Sequence, residues 1–304
     1  MSRWSFEKLR LLIQAGFFAL TNSYIEGFAG GKIYQGPLKK LCVPGLNCYS
    51  CPGARFSCPI GSLQAVLDSG QYRASLYVLG LMSAFGILLG RAVCGFLCPF
   101  GFVQDLLYRI PLFRFQNGKK KRKNLPFHRL LIRLKCLILL LFVIILPMTV
   151  TNFAGMGDPW FCKYICPSGT LMAGLPLLAA NEPLRGAAGM LFGWKSLILV
   201  MIVLLFIGFY RPFCKYLCPL GAFYGFFNRA AFYRIELDPE KCIHCGRCQM
   251  VCGMDIRTFE TPNSMECIRC GACLEHCPTE ALSSSLDELM QGIGRRTAKP
   301  SCGR

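Results

Sequence analysis

With 304 residues, 53% of them hydrophobic, and a formal net charge of +18, the chain fits a simple soluble globule poorly, and long apolar runs are the first feature to seek. The charge is lopsided: residues 234–304 hold 9 Lys and Arg against 10 Asp and Glu, which leaves 25 basic against 6 acidic side chains in the first 233 residues. A basic excess lodged between apolar runs is the pattern of cytoplasmic loops in a membrane protein, so nucleic acid is excluded as the implied partner.

In chain order, residues 11–28 form the least regular apolar run, because it carries Gln14, Asn22 and Glu26. It reads as a span, an interfacial helix or an uncleaved anchor, and no small-residue cleavage pattern follows it. A loop containing Cys42, Cys48, Cys51 and Cys58 comes next, then a second, uncharged run between Arg73 and Arg91. The loop after it contains the basic sequence Lys119 to Lys123, a solvated face or an anionic-lipid contact. Residues 136–157 include LILLLFVIILPMTV, uncharged and long enough to cross roughly 30 Å of hydrocarbon. Residues 187–210 form the fourth run, with Lys195 placed to snorkel to the headgroups. The 91–133 loop has ten Lys and Arg, against five in 26–74 and two in 155–194. Four spans therefore put both termini and the 91–133 loop in the cytoplasm, with the chain in the inner membrane and the other two loops outside.

Twenty cysteines punctuate this frame. Cys242, Cys245, Cys248 and Cys252 follow C-x2-C-x2-C-x3-C, and Cys267, Cys270, Cys273 and Cys277 repeat it. In such runs three thiolates ligate one 4Fe-4S cluster and the fourth ligates its neighbour. One cluster is thus expected on Cys242, Cys245, Cys248 and Cys277, and the other on Cys252, Cys267, Cys270 and Cys273. Gly253 stands where proline usually follows the fourth cysteine. His244 and His276 fill variable positions between ligands and are read as surface or sulfur-contacting residues.

The membrane part has its own repeat, C-x3-C-P-x-G, at Cys94–Cys98, Cys162–Cys166 and Cys214–Cys218, with its second half again at Cys58. A spacing of four puts two thiols on one face of a helical turn, and the Pro and Gly re-aim the chain for another helix. Topology assigns Cys94, Cys98, Cys214 and Cys218 to an inner cluster. The outer candidates are Cys162 and Cys166 with two of Cys48, Cys51 and Cys58; a set of Cys42, Cys48, Cys51 and Cys58 stays open, as do outer disulfides or redox-active thiols. Cys136 and Cys302 match no repeat. Three or four clusters are expected in total.

These spans, paired C-x3-C-P motifs and C-terminal two-cluster segment resemble the NapH-type membrane ferredoxins, related to NosR-like and CcoG-like membrane iron–sulfur proteins, over residues 91 to about 282. The resemblance implies an electron-transfer component of an anaerobic respiratory route, taking electrons from quinol or another donor toward a redox protein partner. The Cys162–Cys166 motif and the Cys42–Cys58 loop are additions to the family's simpler pattern. Other cofactors are argued against: His128, His244 and His276 lie outside the four runs, which leaves a transmembrane haem without ligands, and neither C-x-x-C-H nor a dinucleotide fingerprint occurs.

The expected architecture is all-α in the membrane, about four transmembrane helices with short re-entrant or interfacial segments after each Cys-Pro turn over residues 1–233. A small α+β ferredoxin-like domain follows over 234–288, then a basic tail over 289–304. An electron-transfer subunit fits better than a stand-alone oxidoreductase. The alternatives are a transmembrane reductase that delivers electrons to outer thiols or a metal ion, and an assembly factor for a partner redox enzyme.

Overall fold

Four helices each begin on a proline that follows a cysteine, and that cysteine sets the break before them. The computed structural model describes residues 6–68, 76–110, 127–150 and 157–285. The basic run 119–123, the tail 289–304 and Cys302 lie outside these. Helices open at Pro59, Pro99, Pro167 and Pro219, the prolines of the four Cys-Pro motifs. Cys98 (φ −103°, ψ 110°), Cys166 (φ −65°, ψ 110°) and Cys218 (φ −75°, ψ 113°) are extended. The expectation of two thiols on one helical turn is therefore corrected. The residue before proline is driven out of the helical region, so the first cysteine of each motif lies in a short helical turn and the second caps the next helix.

Two helices are long and apolar enough to cross a membrane, Leu130–Thr149 and Met190–Gly208, with mean hydropathies of 2.7 and 2.5. The first runs through a π-helical stretch, Leu139–Ile145. Both leave large side chains exposed, Leu137 and Leu140 on one, Leu197, Val200 and Leu204 on the other, consistent with a lipid-facing surface. The other two runs fall short. Leu76–Leu89 has 14 residues, or about 21 Å of helix, and residues 73–75 lie outside the described chain. The run at 11–28 is broken: its helix is Phe6–Thr21, after which the Thr21 hydroxyl donates to the Phe17 carbonyl (2.8 Å) and the Asn22 amide to that of Phe18 (3.1 Å), and a separate short helix begins at Glu26. Pro167–Ala180 is a further short apolar helix.

The C-terminal segment pairs Ile235–Leu237 antiparallel with Leu282–Ser284, and carries two short helices, Arg247–Val251 and Ala272–Glu275. Its halves repeat in backbone conformation as well as sequence: His244 and Arg269 have φ of 51° and 53°, and Gly246 and Gly271 have φ of 70° and 77°. Glu266 fixes this segment to the helices. It pairs with Arg91 at 2.7 Å and with Lys135, while Arg269 donates to the Leu89 carbonyl at 2.8 Å and Asn228 to that of Cys267 at 2.9 Å.

Candidate iron-sulfur sites

The described structure draws the cysteines into four groups. Cys94, Cys98, Cys214 and Cys218 are all buried and within electrostatic reach of one another. Two short turns, Ala92–Phe96 and Pro212–Tyr216, bring them together through crossed arginines. Arg211 donates to the Cys94 carbonyl at 2.6 Å, and Arg91 reciprocally to the Cys214 carbonyl. Each arginine stands three residues before the first cysteine of its motif, so the two motifs are related by an approximate twofold. Gly101 and Gly221 complete the relation: a Cβ on either would meet the Cys94 or Cys214 carbonyl at 3.1 or 3.2 Å. Asp105 ties two arginines together beside the centre, bonded to Arg211 at 2.7 and 2.6 Å and to Arg10 at 2.7 Å, all three side chains being buried.

A second group joins Cys48 and Cys58 to Cys162 and Cys166, around a cavity of about 470 Å³. Lys195 donates to the Cys162 carbonyl at 3.1 Å and lines the same cavity. Of the alternatives left open by the sequence, the structure brings Cys48 and Cys58 to the Cys162–Cys166 motif. It does not gather a set of Cys42, Cys48, Cys51 and Cys58. Cys42 bonds to the Ser62 hydroxyl (3.3 Å) and Cys51 to the Asn22 amide oxygen (3.7 Å), and neither lines the cavity, although Cys51 is within electrostatic reach of Cys48.

In the C-terminal segment, Cys242, Cys245, Cys248 and Cys277 line one cavity. Cys267 and Cys273 interact with Cys270 and Cys252 in the other group. The fourth cysteine of each run thus crosses to the other half. His244 lines the first cavity, and the His276 ring meets the Ala272 carbonyl at 3.0 Å.

The four groups form a sequence of neighbours. Gly95, inside the first Cys-x3-Cys motif, packs so closely on the Ile268 carbonyl that a Cβ would approach to 2.5 Å, which joins the membrane part to the Cys267 loop. On the other side the Phe100 amide donates to the Leu46 carbonyl at 3.3 Å, and Leu46 lines the Cys48–Cys166 cavity. Tyr224, wholly buried, donates to the Pro44 carbonyl at 2.9 Å and lies within electrostatic reach of Cys94, Cys98, Cys218 and Cys58. Lys195 touches one group, and Phe206 on the same helix packs edge-on against Phe100 beside the other. Eleven residues separate them, about 16 Å of helix, against roughly 30 Å for a hydrocarbon core.

Thiol groups of this kind fit clusters better than single ions. Among the described residues every cysteine is free, and no group of three or more His, Cys, Asp or Glu is drawn tightly enough to hold one metal ion. A cube of four irons presents its metals at separate corners, so its thiolates stand wider apart than the ligands of one ion. Burial pushes the Cys58 and Cys267 thiols up to about 12, so metal must displace protons to bind. Buried polar atoms without partners also sit on the thiol-bearing segments: the Asn47 amide, Gln104 Oε1, Arg91 Nε and Thr170 Oγ1. The sequence reading missed Arg91, Arg211, Gln64 and Gln104, although an arginine stands three residues before both Cys94 and Cys214, and C-P-x-G-x2-Q occurs at both Cys58 and Cys98.

The sequence comparisons agree with this chemistry. A model described as a 4Fe-4S binding domain matches residues 72–122, 137–180 and 191–235, one copy for each complete C-x3-C-P motif, and a 4Fe-4S dicluster domain matches 234–278. The uncharacterized protein MJ0750 of Methanocaldococcus jannaschii is 31% identical over 71% of this chain and 79% of its own length. The putative electron transport protein YccM of Escherichia coli is 25% identical over 74% of this chain and 57% of its own, and the ferredoxin-type protein NapH of Haemophilus influenzae is 30% identical over 31% and 36%. No solved structure matches the chain. Fold, thiol groups and relatives define an iron–sulfur electron-transfer protein that binds 4Fe-4S clusters. The chain belongs to the NapH-type ferredoxin family.

Proposed function

We propose that the chain is a membrane-bound electron conduit with four 4Fe-4S clusters in series. The first is held by Cys242, Cys245, Cys248 and Cys277, the second by Cys252, Cys267, Cys270 and Cys273. The third is held by Cys94, Cys98, Cys214 and Cys218, and the fourth by Cys48, Cys58, Cys162 and Cys166. The observation that carries this reading is the unbroken contact from one thiol group to the next, through Gly95 and Ile268 and then through Leu46 and Tyr224. Clusters do one-electron chemistry, and the chain's part is to space them, dry them and set their potentials. The Leu130–Thr149 and Met190–Gly208 helices anchor the series in the cytoplasmic membrane, with the ferredoxin-like segment in the cytoplasm. Electrons run between a redox protein or quinone donor and an acceptor reached through the open Cys48–Cys166 cavity, in an anaerobic respiratory route.

Iron and acid-labile sulfide per chain, measured after anaerobic purification, test this. About sixteen irons are expected, falling by about four when Cys162 and Cys166 are both replaced by serine. About twelve irons, unchanged by those substitutions, would eliminate the fourth cluster. One observation favours a second reading, a reductase acting on thiols: Cys51, buried beside Cys48 but outside the cavity. Loss of thiol-reducing turnover in a Cys51→Ser protein that keeps all its iron would shift the assignment to it.

A further inference from the structure

The two membrane thiol groups share a device that neither the family motif nor the ligand assignment requires. Six residues after the second cysteine of a C-P-x-G turn stands a buried glutamine: Gln64 after Cys58, and Gln104 after Cys98. Both have no exposed surface, and each reaches across its site to the first cysteine of the facing motif. Gln104 Nε2 lies 3.1 Å from the Cys214 sulfur, and Gln64 Nε2 lies 3.3 Å from the Cys162 sulfur.

The orientation of each amide is fixed by its other neighbours. Gln64 Oε1 accepts the Phe161 amide N–H at 3.0 Å, which turns its NH2 group to the sulfur. Gln104 Nε2 also faces the Phe100 carbonyl at 3.4 Å, so both of its neighbours are acceptors and the nitrogen, not the oxygen, must point at them. The same geometry therefore occurs twice, on two independent stretches of chain. At the corresponding place after Cys166 and Cys218 stand Met172 and Tyr224, neither of which bonds to a cysteine sulfur. Each site thus has one amide donor, aimed at one defined sulfur.

We infer that Gln64 and Gln104 are potential-setting residues, each donating a hydrogen bond to one cluster-ligating thiolate and raising the reduction potential of the cluster it serves. The inference rests on the ligand assignment proposed above. One electron enters a cluster on reduction, and no bond forms or breaks and no proton moves. The added negative charge spreads onto the sulfurs, so a donor at a thiolate strengthens on reduction and favours the reduced form. Burial magnifies the effect at Gln104, because the Cys214 sulfur it meets is shut away from water.

The test is an anaerobic redox titration followed by electron paramagnetic resonance, with iron counted on the same samples of full-length protein. Gln104→Leu should lower the midpoint of one membrane cluster and Gln64→Leu that of the other. In each case the ratio of reduced to oxidised cluster at fixed potential should fall about tenfold, ~59 mV for one electron, with iron content at the parental level. Gln104→Met and Gln64→Met keep an unbranched side chain of similar length but carry no donor, and should lower the same midpoints; they carry the test where a leucine variant loses iron. Midpoints unmoved in iron-replete leucine and methionine variants would overturn the inference while leaving the ligand assignment standing. A parent protein with only about eight irons would overturn both.

Discussion

The two membrane thiol groups use one plan in two settings. Each joins two Cys-Pro turns, each receives one glutamine amide at sulfur, and each has basic side chains close by. The Cys94–Cys218 group is sealed: its four cysteines are buried, Arg91 and Arg211 tie the two turns together, and the buried Asp105 pairs with Arg211 and Arg10. The Cys48–Cys166 group instead lines a cavity of about 470 Å³, and its nearest ion pair, Lys163 with Asp158 at 2.6 Å, leaves the two side chains 35% and 28% exposed. An interior relay needs isolation from water, whereas a terminal site needs access for whatever it serves. The contrast fits the proposed function with the first as relay and the second as port.

The contrast is broken most directly by removing each group in turn. Cys94→Ser with Cys98→Ser should delete about four irons and also cut the Cys48–Cys166 site off from the ferredoxin-like segment. In stopped-flow reduction through that segment, the remaining outer cluster should then stay oxidised. Cys162→Ser with Cys166→Ser should lose the same iron but leave the first three clusters reducible at the parental rate. Equal loss of reduction in both double variants would refute the serial order.

The charge networks give the next largest difference. Asp105→Ala leaves Arg211 and Arg10 buried with no carboxylate, the situation in which breaking a buried pair costs about 3–5 kcal/mol. Lys163→Ala at the open site removes a partly solvated pair and should cost less than ~1 kcal/mol. Denaturant unfolding in detergent compares the two, and similar midpoints for both variants would show that the centre around Asp105 is not held by charge.

Much of this arrangement was legible because it is local. The eight C-terminal cysteines are read from spacing alone, since each loop wraps its own site within a few residues, and the fold places Cys252 and Cys277 in the opposite halves, as that pattern anticipates. The Leu130–Thr149 and Met190–Gly208 helices were visible as long apolar runs. What stayed hidden depends on contacts distant in sequence. Cys48 and Cys58 join Cys162 across about a hundred residues, a choice that no spacing encodes. The crossing of Arg91 and Arg211 is likewise a property of two turns brought face to face. Hydropathy put the outer and inner thiols on opposite sides of the spans without saying how near they come; the Pro44–Leu46 segment folds in against Phe100 and Tyr224. The broken run at Thr21 was signalled only weakly, by two side chains able to bond back to the helix carbonyls.

The junctions at either end of the sealed group sharpen the comparison further. A Cβ at residue 95 would stand 2.5 Å from the Ile268 carbonyl, and one at residue 45 would stand 2.3 Å from the Leu97 carbonyl. Both partners are backbone, which cannot swing aside as a flexible side chain does. Gly95→Ala should therefore loosen the ferredoxin-like segment, seen as faster amide exchange over residues 234–285, and Gly45→Ala should do the same over the Cys42–Cys58 loop. Exchange that rises across the whole chain in either variant would mean that the junction is part of the global core rather than a seam.

A small effect is expected at Tyr224, where the seam between the two groups can be probed without changing its packing. Tyr224→Phe keeps the buried ring but removes the hydrogen bond to the Pro44 carbonyl at 2.9 Å, leaving that acceptor unpartnered at the turn before Leu46. A neutral hydrogen bond of this kind contributes about 1 kcal/mol, so unfolding should shift slightly while iron content holds. If the bond serves only to fix the loop, electron transfer from the sealed site to the open one should slow no more than the small rise in loop exchange accounts for. A much larger slowing at unchanged stability and iron would mean that the phenol itself lies on the path between the clusters, which its position within reach of Cys58, Cys94, Cys98 and Cys218 makes the informative case to measure.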